Sequence, residues 1–201
     1  MPSINRITET CRKAVQPLFF LRQFVESPKA VGSFVPSGDR LAEAMVKGLV
    51  PCEGLVVELG PGTGVFTRRL LAHGVAPENL MLVEFHSVFA SRLRKEFPDV
   101  EIAEGDAADL EDMLAERRLP KASLIVSSLP FRNIPPAIAT SIVMAMGQSL
   151  ALGGTIVQFT YRLLPPLAPE DALRAGLVGR RQELVLANFP PAFVWHYDKR
   201  E

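Results

Sequence analysis

A glycine-rich turn is the strongest sign of a ligand-binding site in this sequence. It runs Glu58-Leu59-Gly60-Pro61-Gly62-Thr63-Gly64, between a short apolar run and a stretch of helical period. After the first strand of an open α/β sheet, such a turn lets the backbone approach a ligand closely, and the helix that follows favours polar or anionic groups. The turn lacks the Gly-x-Gly-x-x-Gly of a dinucleotide site and the Gly-Lys-Ser/Thr of a phosphate loop, so we expect another ligand.

Two further acidic residues follow apolar runs in the same way. Glu84 ends residues 80–84, and Gly105-Asp106-Ala107 comes soon after residues 100–103. A carboxylate at a strand end can accept hydrogen bonds from two neighbouring hydroxyl groups, although Glu84 taken alone could be a solvated strand end. Because the carboxyl ends of parallel strands meet at one edge of a sheet, we expect these residues to lie near the glycine turn.

In this order the three features resemble motifs of the class I S-adenosylmethionine-dependent methyltransferases. The glycine turn resembles motif I, Glu/Asp-x-Gly-x-Gly-x-Gly, which implies S-adenosylmethionine as the cofactor. The resemblance further implies that this turn wraps the methionine and ribose parts, that Glu84 accepts from the ribose hydroxyls and that Asp106 and its neighbours contact the adenine. The cofactor-binding residues implied are Ser33, Glu58, Gly60, Gly62, Thr63, Gly64, Glu84, Gly105, Asp106, Ala107 and Ser127.

The fourth apolar run ends in Ser127-Ser128-Leu129-Pro130-Phe131, which resembles the Asn/Asp/Ser-x-Pro-aromatic loop of nitrogen methyltransferases. The resemblance implies that this loop holds the target nitrogen in line with the sulfonium methyl, and orientation supplies much of such catalysis. An ammonium group has a pKa near about 10, so it must lose a proton before it attacks. The Ser128 hydroxyl and the Leu129 carbonyl could accept hydrogen bonds from the amine, while the Phe131 ring could hold a methylated ammonium; alternatively, Phe131 lies in the core.

Tyr161 follows the fifth run and is the remaining catalytic candidate. Its hydroxyl could accept or relay the amine proton, or its ring could help Phe131 enclose a methylated ammonium.

With residues 31–38 and the ending Asn188-Phe189-Pro190-Pro191, these motifs make nearly the whole chain similar to the soluble bacterial phospholipid N-methyltransferases. That resemblance implies stepwise N-methylation of phosphatidylethanolamine, through its mono- and dimethyl forms, to phosphatidylcholine. The loop reads Ser-Leu-Pro-Phe where adenine and glutamine methyltransferases have Asn-Leu/Pro-Pro-Tyr/Phe, which argues against a ring-nitrogen or amide substrate.

Residues 162–181 supply arginines near the expected substrate mouth, and Arg162, Arg180 and Arg181 are the candidates for binding a lipid phosphate. Guanidinium forks suit that group, although a solvated surface loop explains the segment nearly as well.

The elements that must position these residues follow an α/β pattern. Runs near 55–59, 80–84, 100–103, 124–127 and 155–159 alternate with helical stretches near 64–73, 87–96, 108–118 and 135–150, and a further helical stretch covers 39–50. This alternation predicts a parallel sheet with helices on both faces. Residues 183–187 and 193–197 then predict an antiparallel hairpin, and five parallel strands plus a hairpin resemble the Rossmann-like seven-stranded methyltransferase sheet.

Residues 4–25 predict an amphipathic helix that Pro17 should kink or split. Residues 1–30 have a net charge of +3 and an aromatic tract, which together favour an anionic lipid surface. The simplest alternative is a helix that only caps the sheet. We therefore expect a membrane-binding helix over 1–30, a methyltransferase domain over 31–201, and a cytoplasmic protein bound peripherally to the inner face of the cell membrane.

Composition limits the remaining function classes. The 201 residues balance 22 Lys and Arg against 22 Asp and Glu, which argues against a nucleic-acid partner. No apolar run is long enough to span a bilayer, and the two cysteines and three histidines show no metal-ligand spacing, so we expect no metal. One alternative function is that of an RNA adenine N6-dimethyltransferase. The zero net charge, the serine at position 128 in place of asparagine, and the lack of an evident RNA-binding domain all argue against it. The other alternative is a non-catalytic cofactor-binding module that docks on a membrane or partner.

Overall fold

The computed structural model describes residues 38–47, 49, 54–186, 188 and 190–200. The predicted N-terminal helix and Ser33 lie outside the described residues, so both stay predictions, as does the division at residue 30.

The described residues form one seven-stranded sheet. Its strands are β1 Val56–Leu59, β2 Leu80–Glu84, β3 Glu101–Glu104, β4 Ala122–Ser127, β5 Leu150–Thr160, β6 Leu177–Val185 and β7 Ala192–Lys199. Their order is β3-β2-β1-β4-β5-β7-β6. The first five strands pair in parallel, and β7 runs antiparallel to both β5 and β6. The predicted fold, a parallel sheet with a C-terminal antiparallel hairpin, is confirmed.

Helices cover both faces of this sheet. In the described ranges they are α1 Asp39–Val46, α2 Val65–Ala72, α3 Ser87–Glu96, α4 Leu110–Glu116, α5 Pro136–Ser149 and α6 Pro169–Arg174. Helices α1 to α3 bury their apolar side chains against one face, and α4 to α6 against the other. All residues of β1 and β2 are buried because both faces are covered, which explains their continuous apolar runs. None of the helices in these ranges is long and apolar enough to cross a bilayer.

The segment between β5 and β7 differs from the prediction. Strand β6 begins at Leu177 rather than at residue 183, and α6 was not predicted. Most of β6 is exposed, since it is the edge strand, so its sequence lacks the apolar pattern of a central strand. It is a strand because it pairs with β7. The pairing runs from Leu177 opposite Lys199 to Val185 opposite Ala192.

The strand order reverses between β1 and β4, and ligands of open α/β sheets bind outside the carboxyl ends of the strands at such a point. Two backbone hydrogen bonds bring the loops together there. Ser128 N donates to the Leu59 carbonyl at 2.9 Å, and Gly60 N donates to the Val83 carbonyl at 3.0 Å. The loops after β1, β2 and β4 therefore border one crevice.

Candidate functional site

Glu58 is fully buried on β1, and its side chain is hydrogen-bonded to Thr67. Its Oε2 accepts from the Thr67 hydroxyl of α2 at 2.7 Å. Its Oε1 is buried and has no hydrogen-bond partner among the described residues. Burial raises the pKa of the Glu58 carboxyl to about 8, against the opposing effect of the Thr67 hydrogen bond, and the nearby charge of Glu84 adds to the rise. At neutral pH this carboxyl is therefore mostly protonated and has an unused oxygen.

Glu84 ends β2 and holds the glycine turn through its carboxylate. Oε2 accepts from Gly62 N at 3.0 Å, and Oε1 accepts from His86 N at 2.9 Å. Burial raises the pKa of Glu84, although these two N–H groups oppose the rise. Since each carboxylate oxygen has more than one acceptor position, Glu84 can still accept from two hydroxyl groups.

Two glycines of the turn serve different purposes. Gly62 and Gly64 both have positive φ, 55° and 76°, where a side chain would be strained. A Cβ at Gly64 would come within 2.8 Å of the Phe97 ring, so this glycine is needed for packing of the turn against the end of α3. A Cβ at Gly62 would meet nothing within 4 Å, so the backbone there borders open space. The predicted close approach of a ligand fits Gly62.

The loop after β3 lies beside Glu84. Gly105 N donates to the Glu84 carbonyl at 3.1 Å. Asp106 accepts from Ala108 N at 3.0 Å and so caps the short 3-10 helix Ala107–Asp109, while the Ala107 side chain is buried in the core. The three predicted cofactor segments thus meet at one edge of the sheet.

The loop after β4, residues 127–131, is called the acceptor loop below. The Ser127 hydroxyl is buried and accepts from Leu129 N at 3.4 Å. The Ser128 hydroxyl is also buried, but it has no hydrogen-bond partner among the described residues. Ser128 therefore keeps the free acceptor that its predicted role requires.

The Leu129 carbonyl is different. It accepts from Phe131 N at 3.0 Å and from the Gln158 side-chain Nε2 at 3.0 Å. A carbonyl oxygen has two lone pairs, and both are engaged. The predicted role of the Leu129 carbonyl as an acceptor for the substrate amine is therefore corrected: its hydrogen bonds hold the acceptor loop instead.

The two aromatic candidates pack against different layers. Phe131 is 7% exposed and lies in the core between the sheet and helices α4 to α6. Tyr161, which directly follows β5, contacts the Phe159 ring edge-on at 5.5 Å, and Phe159 packs near Phe66 of α2 on the opposite face. Their joint enclosure of a methylated ammonium stays a prediction, as do their separate roles.

The three arginine candidates do not form one site. Arg180 and Arg181 lie on β6, where consecutive side chains point to opposite faces of the sheet. Arg180 pairs with Asp198 at 3.2 Å, whereas the Arg181 guanidinium lies 5.7 Å from the centre of the Phe193 ring. Arg180 and Arg181 therefore lie on opposite faces of the sheet edge, and Arg162 is exposed directly after Tyr161. That these arginines bind a lipid phosphate stays a prediction.

Two polar residues of the site were not predicted. Thr67 binds Glu58, and Gln158 binds the Leu129 carbonyl. Gln158 could have been suspected, because its amide interrupts the apolar part of the run 155–159. Thr67 gave no such signal, since its role depends on how α2 packs on β1.

These residues fit S-adenosylmethionine. The cofactor has an ammonium group, a sulfonium centre and two ribose hydroxyls, and the site provides the unpartnered Glu58 Oε1, remaining acceptor positions on Glu84 and open space at Gly62. Within the part of the chain that the structure describes, no group of three or more His, Cys, Asp and Glu side chains could hold a metal ion.

Comparison with solved structures supports the fold. A TehB-like SAM-dependent methyltransferase from Corynebacterium glutamicum superposes with a TM-score of 0.59 at 13% identity, covering 93% of this chain and 100% of that one. At that identity the likeness shows the fold alone.

Comparison of sequences is more specific, although no family model matches the chain. The ornithine lipid N-methyltransferase of Singulisphaera acidiphila is 33% identical over 147 residues, which cover 70% of this chain and 76% of that enzyme. The ribosomal RNA small subunit methyltransferase A of Thermotoga petrophila is 31% identical over 123 residues, covering 58% of this chain but 44% of that enzyme. Sheet, motifs and relatives agree: this chain is an S-adenosylmethionine-dependent methyltransferase of class I and belongs to the same family as the ornithine lipid N-methyltransferase of Singulisphaera acidiphila.

Proposed function

We propose that this enzyme methylates the nitrogen of a lipid headgroup, converting phosphatidylethanolamine through its mono- and dimethyl forms to phosphatidylcholine. The observation that carries the proposal is the 33% identity to a lipid N-methyltransferase over 76% of that enzyme. The headgroup nitrogen is an ordinary primary amine, so it needs a hydrogen-bond acceptor and the loss of one proton rather than activation of an aromatic ring.

The acceptor loop suits this chemistry. The bound cofactor supplies an electrophilic methyl group. The Ser128 hydroxyl, buried and unpartnered among the described residues, can accept a hydrogen bond from the neutral amine and orient its lone pair. Orientation of this kind accounts for much of the rate of a methyl transfer. The proton of the ammonium form is lost to water, either directly or by relay through the Tyr161 hydroxyl, which takes it up while giving its own proton to water; Tyr161 follows β5 at the same edge of the sheet.

A ribosomal RNA adenine is the second candidate acceptor, because several curated relatives are ribosomal RNA methyltransferases. Two features favour the lipid. The chain has no net charge, whereas binding of RNA phosphates normally needs an excess of basic residues. In the loop that residues 128–131 resemble, adenine methyltransferases have an asparagine at the position of Ser128. The amide oxygen of that asparagine holds the exocyclic amino group of the base.

Incubation with methyl-labelled cofactor separates these substrates. Three substrates are tested in parallel: vesicles that contain phosphatidylethanolamine, vesicles that contain ornithine lipid, and free ribosomal RNA. Ser128→Ala is the control variant with impaired catalysis. We expect label in the phosphatidylethanolamine products, and much less with Ser128→Ala at unchanged cofactor affinity. Label in ornithine lipid alone would overturn the choice of headgroup, and label in RNA alone would overturn lipid methylation.

A lipid substrate requires contact with a membrane surface, and exposed leucines lie close to the acceptor loop. Leu163 and Leu164 are 64% and 61% exposed. Their loop is tied to the residue that directly follows the acceptor loop, because the side chain of Arg132 donates to the Pro165 carbonyl at 2.9 Å. Apolar side chains beside a basic residue suit the boundary between lipid and water. We infer that this loop contacts the bilayer, together with the predicted N-terminal helix, at the inner face of the cell membrane.

Vesicle flotation tests this surface. The double variant Leu163→Ser/Leu164→Ser is compared with Leu152→Ser, which is 67% exposed near the opposite end of β5. We expect weaker flotation and a higher apparent KM for vesicles in the double variant, with unchanged cofactor affinity. Equal flotation of the two variants would contradict the role of the loop. Stronger binding to anionic than to neutral vesicles, reduced by salt, is expected from the basic N-terminal segment.

A further inference from the structure

A buried glutamine on β5 connects the central sheet to the acceptor loop. Gln158 is 1% exposed, and its Nε2 donates to two carbonyls, Leu129 at 3.0 Å and Phe159 at 2.9 Å. These two acceptors determine which way the amide faces, because the flipped amide would place its oxygen against two carbonyl oxygens.

The other end of this amide is unsatisfied. Gln158 Oε1 is buried and has no hydrogen-bond partner among the described residues. Buried polar atoms without partners are uncommon in native proteins, and local rules of this kind are broken mostly at functional sites. An apolar side chain of similar length would fill the same space without this penalty, so the presence of an amide here needs a reason beyond packing.

The position of Gln158 supplies that reason. Gln158 pairs in register with Ser127, so their Cα atoms are about 4.8 Å apart on neighbouring strands. Its hydrogen bond ends on the carbonyl next to Ser128, the residue with the free acceptor. The cofactor-binding glutamates are farther away, since Glu58 is two strands from Gln158 and Glu84 is three.

We propose that Gln158 is a positioning residue for methyl transfer, which holds the Leu129 carbonyl so that the Ser128 hydroxyl meets the substrate nitrogen in line with the methyl group. The substrate part of this inference rests on the proposed function, but the role of Gln158 requires only that the acceptor atom is a nitrogen. Misplacement of a reacting group by about 1 Å can cost about 10²-fold in rate, so a single hydrogen bond to this loop can affect catalysis strongly.

Two substitutions of similar length test the inference. Gln158→Met removes the donor, and Gln158→Glu removes it when ionised but restores one O–H donor when protonated. At alkaline pH, above the raised pKa of a carboxyl buried at this position, we expect kcat to fall by about 30- to 100-fold in both variants, with the Kd for the cofactor within about twofold of wild type. As the pH is lowered, kcat relative to wild type should recover in Gln158→Glu and stay low in Gln158→Met. A general loss of packing would not give this difference between the pH profiles.

Ile156→Ala on the same strand is the matched control, since Ile156 is fully buried and belongs to the core. It should lower the thermal stability without lowering kcat at saturating substrate. An equal loss of kcat in Ile156→Ala and Gln158→Met, or full activity of Gln158→Met, would overturn the positioning role.

A second measurement needs no substrate. Hydrogen exchange of the backbone amides of residues 127–133 should be faster in Gln158→Met than in Ile156→Ala, and unchanged exchange would also overturn the inference. If wild type methylates RNA rather than lipid, the lipid proposal fails, and the same variants compared on RNA still decide the role of Gln158.

Discussion

The protonation of Glu58 leads to a quantitative prediction about the protein without cofactor. Burial raises its pKa in the folded state to about 8, against 4.5 as its ordinary value. The folded state holds the Glu58 proton more tightly than the unfolded state does, so this proton stabilises the folded state. Its contribution to the free energy of unfolding is fully present below pH 4.5 and is lost as the pH rises through 8. Between pH 6 and pH 8 the free energy of unfolding should fall by about 2 kcal/mol from this group.

The same proton should govern the affinity for the cofactor. At pH 6 about 1% of Glu58 is ionised, and at pH 8 about half. The cofactor is cationic, so it should favour the ionised carboxylate, and its unpartnered Oε1 can then accept a hydrogen bond. If binding requires that form, affinity should rise by up to about 50-fold from pH 6 to pH 8, and binding should release close to one proton at pH 6 and about half a proton at pH 8.

Glu58→Gln is the matched variant, because it has the same shape and no titrating group. Calorimetry in buffers of different ionisation enthalpy measures the proton release, and thermal unfolding at pH 6 and pH 8 measures the stability. Wild type should show opposite pH trends in stability and affinity, and in Glu58→Gln both trends should be much smaller. A cofactor affinity that is independent of pH in wild type, or the same pH trend in Glu58→Gln, would refute the reasoning.

Three further predictions concern neighbouring residues. Gly62→Ala and Gly64→Ala share the strain of positive φ, but only Gly64→Ala also displaces Phe97. Calorimetry should therefore show that Gly62→Ala loses about tenfold in cofactor affinity, which is about 1.4 kcal/mol. Thermal unfolding should show a larger loss of stability in Gly64→Ala than in Gly62→Ala. Glu84→Ala should weaken cofactor binding by about 1 to 3 kcal/mol, and unchanged affinity would exclude its contact with the ribose hydroxyls. Tyr161→Phe should lower kcat by about 10²-fold at constant cofactor affinity if the hydroxyl relays the proton, whereas full activity would leave a role only for the ring.

Local sequence was sufficient for the central elements of the sheet. Strand β2 and helix α3 have the predicted bounds, because a strand buried on both faces gives a continuous apolar run and a helix of ten residues shows its own period. The edge strand β6 was only partly predicted, since exposed residues such as Gln182 give no apolar pattern and their pairing with β7 depends on the rest of the sheet.

The sequence by itself determined the cofactor chemistry. The glycine turn, Glu84 and Asp106 each lie at or just after the carboxyl end of a strand, so the fold class alone places them at one edge of the sheet. The tertiary structure decided which atoms are free to act. The hydrogen bond between Gln158 and Leu129 joins residues 29 positions apart, and it occupies the carbonyl that the sequence assigned to the substrate while Ser128 stays unpartnered among the described residues. Such hydrogen bonds depend on strand register, which is set by the packing of the whole sheet rather than by any short segment.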